Sequence, residues 1–529
     1  MTAWHQSYGA LRRLWARPSF PFAVVLAIAL VLRIYTAVVS GVPNSDAAYY
    51  IDHARIIYHG LWNVIDTRES FFFSLYPFFI AAVYPLAGNW IAAAYAVSVI
   101  LGVWLLFPVY RLSQLYLRGD AALLVSLTFA VLPTLVFAGA QMLRDPVFWL
   151  FSAYGILYFA RSPWKPPWFL ALSSLFFLGA VLNRQEGIFF FLVSLGFLPF
   201  RRGGRLTARI SSFLLPWVGA LLMAGLALPR ALWEALTARW HFLDVLNGTI
   251  KNYTDTAATL KALAQTPPPP VPTEFFNFAS TLLWLFPLGI ILYSSLEAFH
   301  YLFLLVMVVG VSRAGTGEAL ERDRPYFLSL MCTFFVMFYI YLFSNWAIEQ
   351  RWLICMFIPA AVFLGHGYER ILETMVKSLH LRRTAAVLFV AAAVVLITLP
   401  RDLSPRERDK VVYKDIGLTI AHREKADQEI PILTAGVGMR YVSLYANLNV
   451  PGAPYPDRYR RSYPTMIGRS YGEFIDALKT EGIKYFVWEE KHWPPGRYDL
   501  LREMKARDLT KIGEWYHPDS GRLILFAVN

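Results

Sequence analysis

FPFAVVLAIALVLRIYTAVV, residues Phe20 to Val39, followed by SGVPNSDAAYY, residues Ser40 to Tyr50, is the stretch whose reading decides the class of fold. Its first part is apolar apart from Arg33 and is long enough to cross roughly 30 Å of hydrocarbon as a helix. Asp46 then falls just beyond the outer end of that helix, at the water boundary, where a carboxylate stays charged and can do chemistry. The run is too long for the apolar region of a cleavable signal, and no small-residue cleavage site follows it, so it reads as a first membrane span.

The whole chain agrees with that reading. Of 529 residues, 57% are hydrophobic and only 16% charged, far from a soluble average, which predicts an integral membrane protein. A net charge of +13 raises the question of nucleic acid, but the basic residues are scattered through short loops between apolar runs and form no single face. Cys332 and Cys355 both fall within expected spans, which leaves no disulfide framework or zinc cluster.

Apolar runs at 20–39, 88–109, 121–139, 146–160, 168–182, 187–200, 211–229, 289–310, 326–344, 352–367 and 384–400 predict about eleven transmembrane helices. Alternate loops are rich in Arg and Lys, among them Arg12, Arg111, Arg161, Arg201, Arg322 and Arg370, and face the cytoplasm by the positive-inside rule. The complementary loops face outward: 40–87, Gln141–Asp145, Asn183–Glu186, 230–288, Asn345–Arg351 and everything after Pro400. Within the long outer loops, the aromatic stretch from Phe71 to Pro77 and the segment Glu274 to Pro287 read as interfacial, and Pro267–Pro272 as a polyproline spacer.

Beyond Pro400 charges rise and apolar runs shorten to strand length. Ile430–Thr434, Lys484–Trp488 and Leu523–Ala527 read as buried strands, with helices near 411–426, 471–481 and 497–507. The expected organisation is therefore a transmembrane domain at 1–400 and an extracytoplasmic α/β domain at 401–529.

Outer loops gather the charged groups on one face: Asp46, Asp52 and His53, Arg68 and Glu69, Arg144 and Asp145, Arg184 and Glu186, Lys251, and Glu349 and Arg351. Ionisable groups at the ends of many spans suggest a shared cavity, since such groups are costly at membrane depth. Structural readings stand beside that one: Asp145 as the cap of the helix beginning at Pro146, Arg184 and Glu186 knitting their own loop, Arg351 pairing with Glu349, and His53 as an ordinary helix-face residue. Arg33, Glu297 and His300, which fall within spans, are expected to pair inside the bundle or snorkel.

Asp46 before Tyr49 and Tyr50, Tyr76-Pro77, Arg144-Asp145-Pro146, Asn183-Arg184-Gln185-Glu186-Gly187 and Glu349-Gln350-Arg351-Trp352-Leu353, in this order and on one side, resemble the polytopic GT-C glycosyltransferases. The likeness is to the branch with protein O-mannosyltransferases, lipid A aminoarabinose transferases and rhizobial lipopolysaccharide transferases. It implies transfer of a sugar from a polyprenyl-phosphate donor to an extracytoplasmic lipid, glycan or protein, at a bacterial inner membrane. It further implies Asp46 as catalytic base, Asp145 as a second acid, and Arg351 as the first partner of the lipid phosphate. Arg184, Glu186, Arg68, Lys251 and Tyr49 complete the substrate-binding set. Some relatives carry a paired acidic motif where this chain has Ser45-Asp46-Ala47, so a cofactor-free, metal-independent reaction is expected, the alternative being a divalent ion held by Asp46, Asp145 and Glu186. Two further readings compete: a transporter or flippase of a lipid-linked saccharide, and a non-catalytic scaffold of envelope assembly.

Overall fold

The computed structural model describes residues 19–61, 74–162, 166–201, 205–227, 242–268, 270–313, 318–424, 427–435, 438–453, 460–462, 466–468, 470–494 and 498–529. Arg68, Glu69 and the aromatic run Phe71–Phe73 lie outside them. Two compact units result, one of residues 1–33, 99–139 and 144–403, the other of residues 34–98, 140–143 and 404–529.

The first unit is helical, and the described parts of the apolar runs expected to span the membrane are mostly helical. Six helices among the described residues are long and apolar enough to cross a membrane, or up to eight if two bent pairs each count as one span. These make the chain an integral membrane protein. The run at 289–310 is not the single helix expected. It divides into Phe286–Phe299 and Tyr301–Arg313, with His300 at φ +59° between them. The upstream half instead continues, through a bend of 60°, from the helix Thr273–Thr281, where a flat interfacial segment was expected.

The other bent pair explains Arg33. The helix Gly119–Val131 stops before Pro133, which has no N–H to offer, and the chain resumes at 53° to it as Pro133–Ala140. The Ala130 carbonyl, in the last turn before the break, accepts Arg33 Nη1 at 3.0 Å, and Ala29 accepts the same nitrogen at 3.1 Å. Arg33 is fully buried. Two glycines make room for it, since a Cβ on Gly139 would stand 2.8 Å, and one on Gly102 3.1 Å, from Arg33 Nε. Another buried charge sits where the basic loops begin. Asp323 accepts Arg201 Nη1 at 2.8 Å and the Tyr116 hydroxyl at 2.6 Å, while Arg201 lies 4.3 Å over the Phe159 ring.

The second unit contains a five-stranded sheet, β1 (Ile432–Thr434), β2 (Arg460–Ser462), β3 (Tyr485–Glu489), β4 (Leu509–His517) and β5 (Gly521–Val528), in the order β2-β1-β3-β5-β4. β1 is parallel to β2 and β3, whereas β5 is antiparallel to β3 and β4. Alternation along β3 and β5 divides the core: Phe486, Trp488, Ile524 and Phe526 pack with Phe474 and Leu478 of the helix Tyr471–Thr480. Tyr485, Val487, Leu523 and Leu525 pack with the helices Val411–Arg423 and Gly438–Ala446. A sheet covered on both faces has nearly continuous apolar central strands, which is why β1, β3 and β5 were readable. β2 and β4 were not: one is three polar residues at an edge, the other a half-exposed edge strand. The helix expected at 497–507 is only Leu500–Glu503, because the chain turns directly into β4. Val42, from the first outer loop, belongs to the second of these cores.

The helices Tyr301–Arg313 and Ile354–Ser378 meet at glycines. A Cβ on Gly310 would collide with the Phe363 carbonyl, and one on Gly367 with the Val306 carbonyl. Gly219, by contrast, faces open space. Gly310→Leu or Gly367→Leu should therefore forfeit the monodisperse folded protein in detergent, while Gly219→Ala should leave its melting temperature unchanged or slightly higher. Normal yield and melting temperature of both leucine variants would show that the two backbones are not in contact.

Candidate active site

Two of the sequence motifs lock together in the helical unit. The helix Trp168–Asn183 ends at Arg184, and the next helix begins three residues later at Gly187. So tight a reversal needs glycine, because a Cβ there would stand 2.7 Å from the Val181 nitrogen. Asn183 Nδ2 donates to the Arg144 carbonyl at 2.7 Å, and Arg144 Nη1 returns a bond to the Asn183 carbonyl at 3.3 Å. This exchange brings Asp145 to Arg184.

Arg184 Nη1 meets Asp145 Oδ1 at 2.7 Å, and Nη2 meets Glu186 Oε1 at 2.8 Å. Asp145 does not cap its helix: it is the first helical residue, the cap position falls on Arg144, and the Asp145 side chain is almost fully buried. Arg351 approaches the other oxygen of Asp145 at 3.9 Å, while its closer partner is Glu349 at 2.8 Å. The Trp352 ring lies 5.2 Å from the Arg184 guanidinium, and together with Asp145, Phe148, Trp149, Glu186, Phe338 and Cys355 these residues line a small cavity of about 10 Å³, room for a single water. Burial alone would raise the Glu186 carboxyl, but the Arg184 guanidinium, with Arg144 behind it, draws it down to about 2. Burial works against the Arg184 charge too, yet Glu186 and Asp145 outweigh it and hold that guanidinium well above its ordinary value.

Asp46 lies in the other unit, immediately before the helix Ala47–Tyr58. Its carboxylate makes no capping bond to that helix and instead accepts Arg440 Nη1 at 2.7 Å. Arg440 comes from the helix Gly438–Ala446 and lies 4.6 Å over the Tyr49 ring. The sequence reading did not single out Arg440, and no periodicity or motif marks it. Of the remaining expected site residues, Lys251 is exposed on the helix Phe242–Gln265, whose Asn252 binds the carbonyls of Phe343 and Ser344, and Arg68 lies outside the described residues. Asp52 and His53 are buried in the helix that follows Asp46.

The fit of a metal ion can be judged from the donors. Asp145 and Glu186 both give oxygens to one guanidinium, so the cation between these acids is already an arginine. Among the described residues, Asp409, His517 and Asp519 place ligand atoms within 4.8 Å of one another. His517 Nδ1, however, accepts the backbone N–H groups of Asp519 and Ser520, both at 3.2 Å, so its proton resides on Nε2, which points to Asp409 at 3.4 Å. In that tautomer His517 Nε2 has no lone pair to give a metal ion, which leaves only the carboxylates of Asp409 and Asp519 as donors there.

The fold of the chain is similar to those of solved membrane-protein structures at low sequence identity. The chain is similar to ArnT from Cupriavidus metallidurans in the apo state, at 13% identity and TM-score 0.57, over 96% of this chain and 97% of that one. Against ArnT bound to undecaprenyl phosphate the identity is 12% and the TM-score 0.52, with the same coverage of 96% and 97%. It is also similar to the archaeal oligosaccharyltransferase AglB from Archaeoglobus fulgidus in complex with an inhibitory peptide and a dolichol-phosphate, at 13% identity and TM-score 0.52, over 97% of this chain and 74% of that one. A structure of the A. fulgidus oligosaccharyltransferase with zinc and sulfate matches at 11% identity and TM-score 0.53, over 95% and 72%. No protein-family model and no curated protein matches the sequence.

The folded-state pKa of Glu186 lies below its ordinary value of 4.5, so its pairing stabilises the protein fully above about pH 4.5 and loses that effect as the pH falls towards 2. Glu186→Gln should flatten the decline of melting temperature across that acid window. An unchanged slope would mean that the pair with Arg184 adds nothing to folding.

Proposed function

We propose that this chain is an integral-membrane glycosyltransferase that moves one sugar, with inversion, from a polyprenyl-phosphate donor to an acceptor hydroxyl on the outer side of a bacterial inner membrane. About eleven spans would carry the site, with the α/β domain extracytoplasmic. Nucleotide sugars are absent outside the cytoplasm, so the donor has to be carried by the membrane. The fold supports this reading, because its neighbours include structures with undecaprenyl phosphate and with dolichol-phosphate.

The observation that carries the proposal is the unequal holding of two guanidiniums beside Asp145. Arg184 is 7% exposed and fixed by two acids, whereas the stronger partner of Arg351, Glu349, is 55% exposed. A pair open to solvent costs little to exchange, so Arg351 can turn to a phosphate while Arg184 stays in place. Arg184 then holds Asp145 in place and keeps Glu186 ionised. Asp46 takes the proton of the acceptor hydroxyl, the acceptor oxygen attacks the anomeric carbon, and the bond from that carbon to the lipid phosphate breaks. The phosphate leaves with the electron pair and is stabilised by Arg351. The acceptor class is a lipid, glycan or protein, and the chemistry needs no metal. A transporter would reserve its interrupted helices for cargo. The break at Pro133 is already filled by Arg33.

Sugar transfer by the purified protein, with a polyprenyl-phosphate sugar as donor, tests the assignment. Asp46→Asn should lower kcat by roughly 10²- to 10⁴-fold. Arg351→Ala should mainly weaken the use of the donor, and a chelator should leave turnover unchanged. Full turnover of Asp46→Asn, or loss of activity with chelator and its return with magnesium or manganese, would contradict the mechanism.

A further inference from the structure

Within the mixed unit, the helices Ala47–Tyr58 and Gly438–Ala446 are joined at both ends by arginines. At the amino ends, Arg440 Nη1 donates to Asp46 Oδ1 at 2.7 Å and to Ser45 Oγ at 3.4 Å, and the Tyr441 hydroxyl donates to the Pro43 carbonyl at 3.0 Å. At the carboxyl ends, Arg55 donates to the carbonyls of Asn447, Val450 and Gly452. Arg55 is 2% exposed, so this end is a buried anchor. The Arg440–Asp46 pair is different, with side chains 32% and 34% exposed.

A pair so exposed adds little to folding. It is nonetheless held with unusual care: the guanidinium rests on the Tyr49 ring, its helix is fixed at both ends, and its bond to Asp46 has the short length of a charge-assisted one. Such preorganisation constrains one object, the direction of the Asp46 carboxylate. We propose that Arg440 is a positioning residue for Asp46: it sets the orientation of the carboxylate and leaves part of it to the acceptor hydroxyl. This rests on the reading of Asp46 as the base. It gives the residues beyond Pro400 a part in the reaction, because they supply the guanidinium that meets Asp46. A lysine would bring the charge but not the planar fork or the stacking on Tyr49.

The test uses the full chain and the transfer assay above. Arg440→Gln should lower kcat by roughly 10- to 100-fold, the scale of a misplaced catalytic group, with the KM of donor and acceptor and the melting temperature nearly unchanged. Arg440→Lys should recover only part of the loss, and added guanidinium should restore part of the turnover of Arg440→Ala. In the Asp46→Asn background, Arg440→Gln should cost nothing more. Full turnover of Arg440→Gln beside an inactive Asp46→Asn would overturn the role of Arg440 and leave the base in place. A raised donor KM with unchanged kcat would overturn it in favour of a phosphate contact, and an active Asp46→Asn would remove the base itself.

Discussion

Arg184 between Asp145 and Glu186 is the constraint on which one end of the helical unit depends. A buried cation without partners would cost several kcal/mol, and two buried carboxylates without one would cost more. The exchange between Arg144 and Asn183 and the glycine turn at Gly187 both serve to bring these charges together. Helix ends that carry such residues cannot drift apart without exposing a desolvated charge to an apolar surround, so the motif fixes the geometry of the cavity it lines.

The same electrostatic rule divides the charged residues of the protein into two kinds. Arg33, Arg184, Arg201 and Asp323 are buried and held by carbonyls, carboxylates, a phenol or aromatic faces. They hold the bundle together. Arg351 with Glu349 and Arg440 with Asp46 are pairs with at least one partner open to solvent. Their bonds are cheap to exchange, which suits groups that must meet a phosphate or a hydroxyl. Residue type is the same in both kinds, and only the surroundings separate scaffold from chemistry.

The mixed unit shows how far a site can depend on distant chain. Residue Val42 enters the core beside Tyr413 and Tyr441, and Arg55 binds the loop after the helix Gly438–Ala446. The segment after the first apolar helix therefore reaches into an α/β core through Val42, and Asp46 meets a partner 394 positions away.

By itself the sequence determined most of the apolar helices, the strands β1, β3 and β5, the motifs around Asp46, Asp145, Arg184 and Arg351, and the absence of an acidic neighbour for Asp46. These are local properties: an apolar run, an alternation, a residue at the end of a span. Only the tertiary structure decided that Arg33 fills the break at Pro133, that His300 divides an apolar run, that β2 and β4 close the sheet, that Asp145 binds Arg184 and caps nothing, and that Arg440 stands against Asp46. Each of these is an encounter between segments far apart in the chain. Periodicity records which face of a helix is buried, but an ion pair across hundreds of residues leaves no period, and a charged side chain reads alike whether water or a buried partner satisfies it.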